Sequence, residues 1–579
     1  YNRGIHTFFG GYEREEFEAF NLFIQEAEGE YRFSSVQDFI DGTPNRITYE
    51  NAAPSNNPND AASTFEYAIN TAYLQDKISF DDYGVQVIIG LRYDWYTSSD
   101  VPAANARFAE RYGFSNQQNF DGEGLLQPRF GLTWDVSDRL SLRGGAGVYS
   151  GGNPNVWLSN NYSNNGITQV EVQDRTLDDG GPTLFDIDFN GSGRPIFDIP
   201  QNLFDAVGNP TEQADSGVNA LDPNFEIPSD LKIAIGATWN FDAGFLGEDY
   251  TLNADYLYSK QNNAPIIRDA TLERIGTAPD GRPIYRGIDR RDSACAVDPV
   301  NCEGRTQDFI LTNVEGAEGS QNAFSVGISK SYDWGFDWSL GYAYTESSDV
   351  SPMTSSVAFS NFSNIAVSDP NNPGRAESNY EIPNRFTLRM SYQNAFFGDN
   401  MTKITVFGSA NEGRPFTFTF NNGFAFGDSV GFEDRHLLYV PTGPGDPLVT
   451  FADPGVEQAF FDFVAAQGLD EFSGQILPRN AFHSDWWTKF DVKIEQEFPG
   501  GGDNKLAGFL VIENIGNLFN DEWGVLNESG FPRFQGVVDA NINNGVYEYD
   551  NFFEPSPQGR VVDASLWEVR VGFRYDFAF

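Results

Sequence analysis

The chain has 579 residues, with 83 acidic against 37 basic side chains and a net charge of −46. That balance excludes nucleic-acid binding, which needs a basic stripe. Glycine (58 residues) and aromatics (15%) are abundant, and no apolar run is long enough for a spanning helix, so alternating strands are the remaining means of crossing a bilayer.

The start, Tyr1 to Glu13, lacks the basic start, apolar core and small-residue cleavage site of a signal peptide. It begins as though inside a strand, and the expectation is a mature or partial chain whose beginning is missing. The segment Tyr1–Ile40 is expected to add two or three strands of poorer alternation. From Thr64 the pattern is regular. Thr64–Phe80 reads as a strand, Asp81 and Asp82 as a turn, and Tyr83–Tyr96 as a second strand. Tyr83, Val85, Val87, Ile89, Leu91, Tyr93 and Trp95 share one face of it, and no charge falls on that face. A basic charge at a bilayer midplane costs about 2–4 kcal/mol, so lipid would demand this segregation.

Further pairs follow in order: Gln127–Val136 with Leu140–Tyr149, Leu231–Phe241 with Tyr250–Ser259, and Phe324–Tyr332 with Phe336–Tyr344. Then come Phe386–Phe396 with Lys403–Ala410, and Phe490–Phe498 with Lys505–Ile515. Each pair is joined by a short Gly/Asp/Asn/Pro link, and long polar stretches separate the pairs. The last strand, Trp567–Phe579, places Trp567, Val569, Val571, Phe573, Tyr575, Phe577 and Phe579 on one face and all its charges on the other. At about 3.3 Å per residue it reaches roughly 43 Å, enough to cross an outer-membrane apolar band when tilted. The fold class predicted is all-β: an antiparallel transmembrane β-barrel with short periplasmic turns and long extracellular loops, the whole of 1–579 forming one barrel domain. Thirteen strands are read from Thr64 onward. With those of the start the total is about 15–16, part of a barrel of about 22. The last strand follows a long connection, which places the C-terminus in the periplasm.

The aromatic stripe Phe573, Tyr575, Phe577, Phe579 resembles the C-terminal signal that the barrel-assembly machinery reads in bacterial outer-membrane barrels. Tyr73-Leu74-Gln75-Asp76 followed by Gly90-Leu91-Arg92-Tyr93-Asp94 resembles a strand pair of TonB-dependent outer-membrane receptors. Gln127–Leu132 with Leu142–Tyr149, and Glu513–Asn520, are similar to later strands of that family. Asp222-Pro223-Asn224-Phe225 and the long acidic loops look most like its Oar-like branch. The resemblance spans roughly Thr64 to Phe579. It implies a Gram-negative outer-membrane transporter, with a plug inside the barrel that the TonB complex pulls on. The sequence departs from that pattern in showing neither a plug nor an energy-coupling segment. The function expected is a TonB-dependent receptor that binds an unknown extracellular solute (siderophore, peptide or glycan) with its loops. The alternatives are a structural or adhesive barrel displaying acidic loops to a partner, and a soluble secreted β-protein. The expected surroundings are outer-membrane lipid and lipopolysaccharide. The acidity reads as solubility or life in salt, or as a surface that holds divalent cations beside lipopolysaccharide.

No residue pattern argues for an enzyme or a bound cofactor. Arg143–Gly152 is glycine-rich but is not G-x-G-x-x-G, and small residues facing a crowded lumen explain it. His6, His436 and His483 are scattered, so no metal ligands are assigned. Asp369–Gly374 and Asn56–Asp60 offer oxygen ligands for loop-bound calcium and also read as solvated turns. Cys295 and Cys302, spaced C-x6-C, are expected to form a small loop disulfide, two reduced cysteines being the other possibility. Trp486 and Trp487 are read as an aromatic girdle at the membrane interface, or as a stacking platform in the mouth.

Overall fold

The computed structural model describes residues 1–175, 183–191, 198–210, 215–288, 290–291, 306–316, 318–423, 425–427, 433–500, 504–556 and 558–576. One antiparallel sheet dominates them. Its long strands are β1 (His6–Asn21), β2 (Ser63–Phe80), β3 (Val85–Thr97), β4 (Gly124–Ser137), β5 (Leu140–Ser150), β6 (Ser229–Phe241) and β7 (Tyr250–Asn262). They continue as β8 (Ser320–Ser331), β9 (Phe336–Asp349), β10 (Asn384–Phe397), β11 (Asn400–Asn411), β12 (Trp487–Pro499), β13 (Lys505–Glu513) and β14 (Glu568–Asp576). Each pairs with its predecessor and its successor in the chain. The sheet has sixteen members, two of which, Asn2–Arg3 and Ala376–Glu377, are only two residues long. Within 1–40 three strands form, of which only His6–Asn21 is long; Asn2–Arg3 joins the same sheet and Glu30–Arg32 a separate three-stranded one. Among the described residues β1 and β14 do not pair with each other. In lipid both edges need backbone partners, because unpaired N–H and C=O groups there cost several kcal/mol each.

The wall is apolar on its outer face. Ile89, Leu91 and Tyr93 of β3 are exposed, and Leu74 of β2 stands opposite Leu91 in register. On β14, Val571 and Phe573 are 70% and 73% exposed. Such a surface in water would be an extended apolar patch; in a bilayer it is solvated. The inner face is polar. The Thr71 hydroxyl donates to Asp94 at 2.7 Å, Arg92 Nε donates to the same carboxylate at 2.8 Å, and Gln127 Nε2 donates at 2.5 Å. Arg143 of β5 pairs with Asp255 of β7 across β6, and a side chain at Gly236 would collide with that pair. This explains the strand motifs physically: alternate positions of Gly90-Leu91-Arg92-Tyr93-Asp94 serve lipid and a buried charge network.

Connections sort by length. Links of two to eight residues join β2–β3, β4–β5, β6–β7, β8–β9, β10–β11 and β12–β13, and links of 26 to 78 residues join the other neighbours. Gly84, Gly335 and Gly398 take positive φ in the short links, where a tight reversal needs it. The long links fold onto one end of the wall as a cap. Pro415–Phe420, Phe534–Asn543, Val546–Phe552, Val449–Phe451 and Phe482–His483 form a five-stranded sheet there. The helix Pro454–Gln467 covers it, capped by the Asp453 side chain at its start and by left-handed Gly468 at its end. Its Phe460, Phe463 and Val464, at i, i+3 and i+4, pack with Phe418, Phe420, Val537, Tyr547 and Tyr549 in the largest buried cluster. A second cluster joins Phe65 and Tyr67 of β2 and Tyr96 of β3 to Phe120, Leu158, Phe225, Phe309 and Phe362 of the long links. The inner face of the wall thus changes from polar to aromatic where the cap packs on it.

Candidate functional site

The cap carries a half-open cleft of about 500 Å³ lined by four of the long connections. One side is formed by a three-stranded sheet of Glu30–Arg32, Arg46–Ala52 and Gln169–Asp174. In it Glu50 stands directly opposite Glu171. Like charges facing across a strand pair repel, so this register carries a cost unless something positive sits beside it. Glu26 approaches from the preceding loop, where its backbone carbonyl accepts from Glu50 N at 3.1 Å. Glu50 itself accepts from Gln169 Nε2 at 2.7 Å and from Gln25 N at 3.2 Å. Among the described residues none of these three carboxylates pairs with a cation. Burial, with Glu50 close by, pushes the Glu26 carboxyl up to about 7.

The rest of the lining differs in character. Phe23, Phe309, Val357 and Phe359 give an apolar side. Asp215, also in the lining, is neutralised by Arg111 at 2.7 Å, and buried Asp308 behind it takes a hydrogen bond from Tyr112 at 2.7 Å and from Val218 N at 2.8 Å. The arrangement can therefore hold a positive group at Glu26, Glu50 and Glu171 while an apolar portion rests on the phenylalanines.

The residues singled out from sequence fall in several places. Cys295, Cys302, Phe577 and Phe579 lie outside the described residues. Phe573 and Tyr575 are on the outer face of β14. Of Arg143–Gly152, Arg143–Ser150 lies in strand β5 and is not a phosphate loop. Trp486 is exposed and lies 6.3 Å from Phe386 on the outer face, as a girdle residue would. Trp487 turns inward and donates from Nε1 to Gly524 O at 3.0 Å. Asp369 accepts from Asn371 N, Asn372 N and the Tyr285 hydroxyl, and Asn57 accepts from Asn59 N, so both stretches spend these oxygens on their own turns. His6 contacts Asp76, His436 is buried against Phe426, and His483 meets two glutamates treated below. Asn514, in the Glu513–Asn520 motif, has φ +48 and its side chain donates to Gly524 O and Ser565 O, pinning the end of β13. Sequence reasoning missed Glu26, Glu50 and Glu171. In a chain with 83 acidic residues only the pairing of Arg46–Ala52 with Gln169–Asp174 marks them out.

A family model described as "outer membrane beta barrel domain" matches residues 1–509. Similar solved structures include the outer membrane transporter YddB from Escherichia coli, at 13% identity and TM-score 0.47, covering 99% of this chain and 52% of that one. The FrpB iron transporter from Neisseria meningitidis (F5-1 variant) is 12% identical, TM-score 0.41, with 99% and 53% coverage. The ferric enterobactin receptor PfeA from Pseudomonas aeruginosa, solved as a mutant with enterobactin, is 10% identical, TM-score 0.39, with 92% and 50% coverage. The chain thus spans about half the length of these proteins. No curated protein sequence matches it.

Proposed function

The chain belongs to the outer membrane β-barrel family, and from that premise we propose that it is the wall and mouth of a TonB-dependent receptor for a small cationic solute with an apolar portion. Its place in the outer membrane of a Gram-negative bacterium follows from the family and from the lipid-facing wall. In this reading the long connections are extracellular and the short links and C-terminus periplasmic. The whole protein would import its solute by a plug on which the TonB complex pulls, as the strand motifs imply. The Oar-like branch is part of the proposal, carried by Asp222–Phe225 and the acidic loops. The receptor works by binding and release, not by catalysis.

The single observation that supports solute binding is the cleft in the cap. Glu26, Glu50 and Glu171 converge there without a cationic partner among the described residues, beside Phe23, Phe309 and Phe359. Carboxylates crowded together in this way repel one another, and a cation between them relieves that repulsion. The test is deletion of the gene in its native host, with growth followed on limiting cationic nutrients such as peptides or amines. A growth defect restored by the wild-type gene but not by the triple variant Glu26→Gln, Glu50→Gln, Glu171→Gln is expected. Unchanged growth with altered adhesion or surface assembly would instead support display of acidic loops to a partner, and would overturn the uptake reading.

A further inference from the structure

We propose that Glu377, Glu381 and His483 form a binding site for one divalent first-row cation, with zinc as the reference ion, at the rim where two long connections meet the wall. The inference goes beyond solute uptake and stands independently of it. His483 is about a hundred positions from the two glutamates in the chain, and the fold brings one ligand atom of each within 4.8 Å of the others. Glu377 sits on the two-residue strand that extends the sheet beside Ser348 and Asp349 at the end of β9. Glu381 is buried in the turn leading to β10. His483 lies on the short strand that joins Pro415 and Phe416 in the cap sheet, four residues before β12.

The convergence of an imidazole and two carboxylates, beyond a simple salt bridge, is what an ion needs. His483 Nε2 and Glu377 Oε1 are 2.7 Å apart, and both atoms are sealed from solvent. Neither atom has a further hydrogen-bond partner, so the contact between them is an ion pair when the ring is protonated. The His6–Asp76 pair, at the same 2.7 Å, does have hydrogen-bond geometry. With bonds of about 2.0–2.2 Å, two ligands of a tetrahedral zinc stand about 3.4 Å apart, so side-chain rotations that open the 2.7 Å pair and draw in the third ligand from within 4.8 Å close this trio on an ion.

The surroundings fit such a site. Ligands need support from a second layer of contacts. Asn480, in a left-handed conformation, donates to Glu377 O at 2.8 Å and to Asn379 Oδ1 at 2.6 Å. The Ser347 hydroxyl donates to Glu381 Oε2 at 3.1 Å, and its backbone N–H bonds the same oxygen. Arg479, beside Asn480, is fully engaged with Asp349 and Val350 O and so does not compete for the glutamates. Glu412, held by Asn384, adds further negative potential nearby. Glu377 and His483 are partly exposed, which leaves an entry path. The imidazole selects against calcium and magnesium, which prefer all-oxygen ligands, and favours zinc and its neighbours. Bound there, the ion ties the 350–383 connection to the 412–486 connection and keeps a coordination position open.

The experiment uses the full-length protein in detergent micelles, stripped of metal by a chelator and titrated with zinc chloride in the presence of excess calcium. One zinc per chain that calcium does not displace is expected. In His483→Ala or Glu377→Gln its affinity should fall by more than about a hundredfold. Replacing zinc with cobalt should give the visible spectrum of a nitrogen–oxygen site. Each variant is first checked for a heat-modifiable barrel band, and Glu377→Gln, at a partly exposed position, serves if His483→Ala does not fold. No calcium-resistant zinc, or equal zinc binding by wild type and variants, overturns the proposal.

Discussion

The wall and the cap of this molecule solve opposite problems with the same residues. Leu91, Phe130 and Val571 point away from the wall and stay exposed, while Phe420, Phe460 and Tyr549 in the cap are completely buried. On the inner face of the wall Arg92, Asp94 and Arg143 are each ion-paired. The cap is an ordinary water-soluble core, with a capped helix laid on a mixed sheet. Hydrophobicity alone therefore does not say what is buried. The medium that each face meets decides it, and the alternation of each strand must be read with that in mind.

The comparison can be broken in four ways. The largest effect is expected in the cap: Phe460→Ala should destabilise it by about 3–5 kcal/mol, because a large buried ring leaves a cavity. Limited proteolysis should show the cap opening while the heat-modifiable wall persists. Next, Leu91→Arg should cost about 2–4 kcal/mol in urea titrations on vesicles, since it puts a charge on the lipid face. A smaller loss, about 1 kcal/mol, should follow Asp453→Ala, which removes the two hydrogen bonds that start the cap helix. The smallest concerns pH. Burial raises the Glu26 carboxyl to about 7, above its unfolded value, so its contribution is complete at pH below about 4 and is lost as pH rises through about 7. Protease resistance of the 22–62 connection should therefore fall between pH 4 and 8, and Glu26→Gln should flatten that fall.

The wall was legible because its signals are local. Thirteen strands from Thr64 onward are found where period-two alternation and the short Gly/Asp turns place them, within a few residues at their ends. The first 40 residues were harder to place because, of their three strands, only His6–Asn21 is long. The cap was not legible for a different reason. Pro415–Phe420 alternates phenylalanine and threonine as cleanly as any wall strand, yet all six residues are buried between cap layers. Its partner Phe534–Asn543 lies in another long connection and pairs with it in parallel, which no local pattern announces. The same is true of Glu26, Glu50 and Glu171, and of Glu377, Glu381 and His483. Their chemistry comes from long-range pairing in a chain already crowded with carboxylates.

The most direct measurement is the alternation of solvent along one strand in a bilayer. Spin labels placed singly at 88 to 93 of β3, with Cys295 and Cys302 replaced by serine, report access to oxygen in lipid and to a water-soluble nickel complex. The account predicts oxygen access peaking at 89, 91 and 93 with a period of two, while labels at 460 and 549 in the cap are reached by neither reagent. Uniform access of the nickel complex along the whole strand would contradict it.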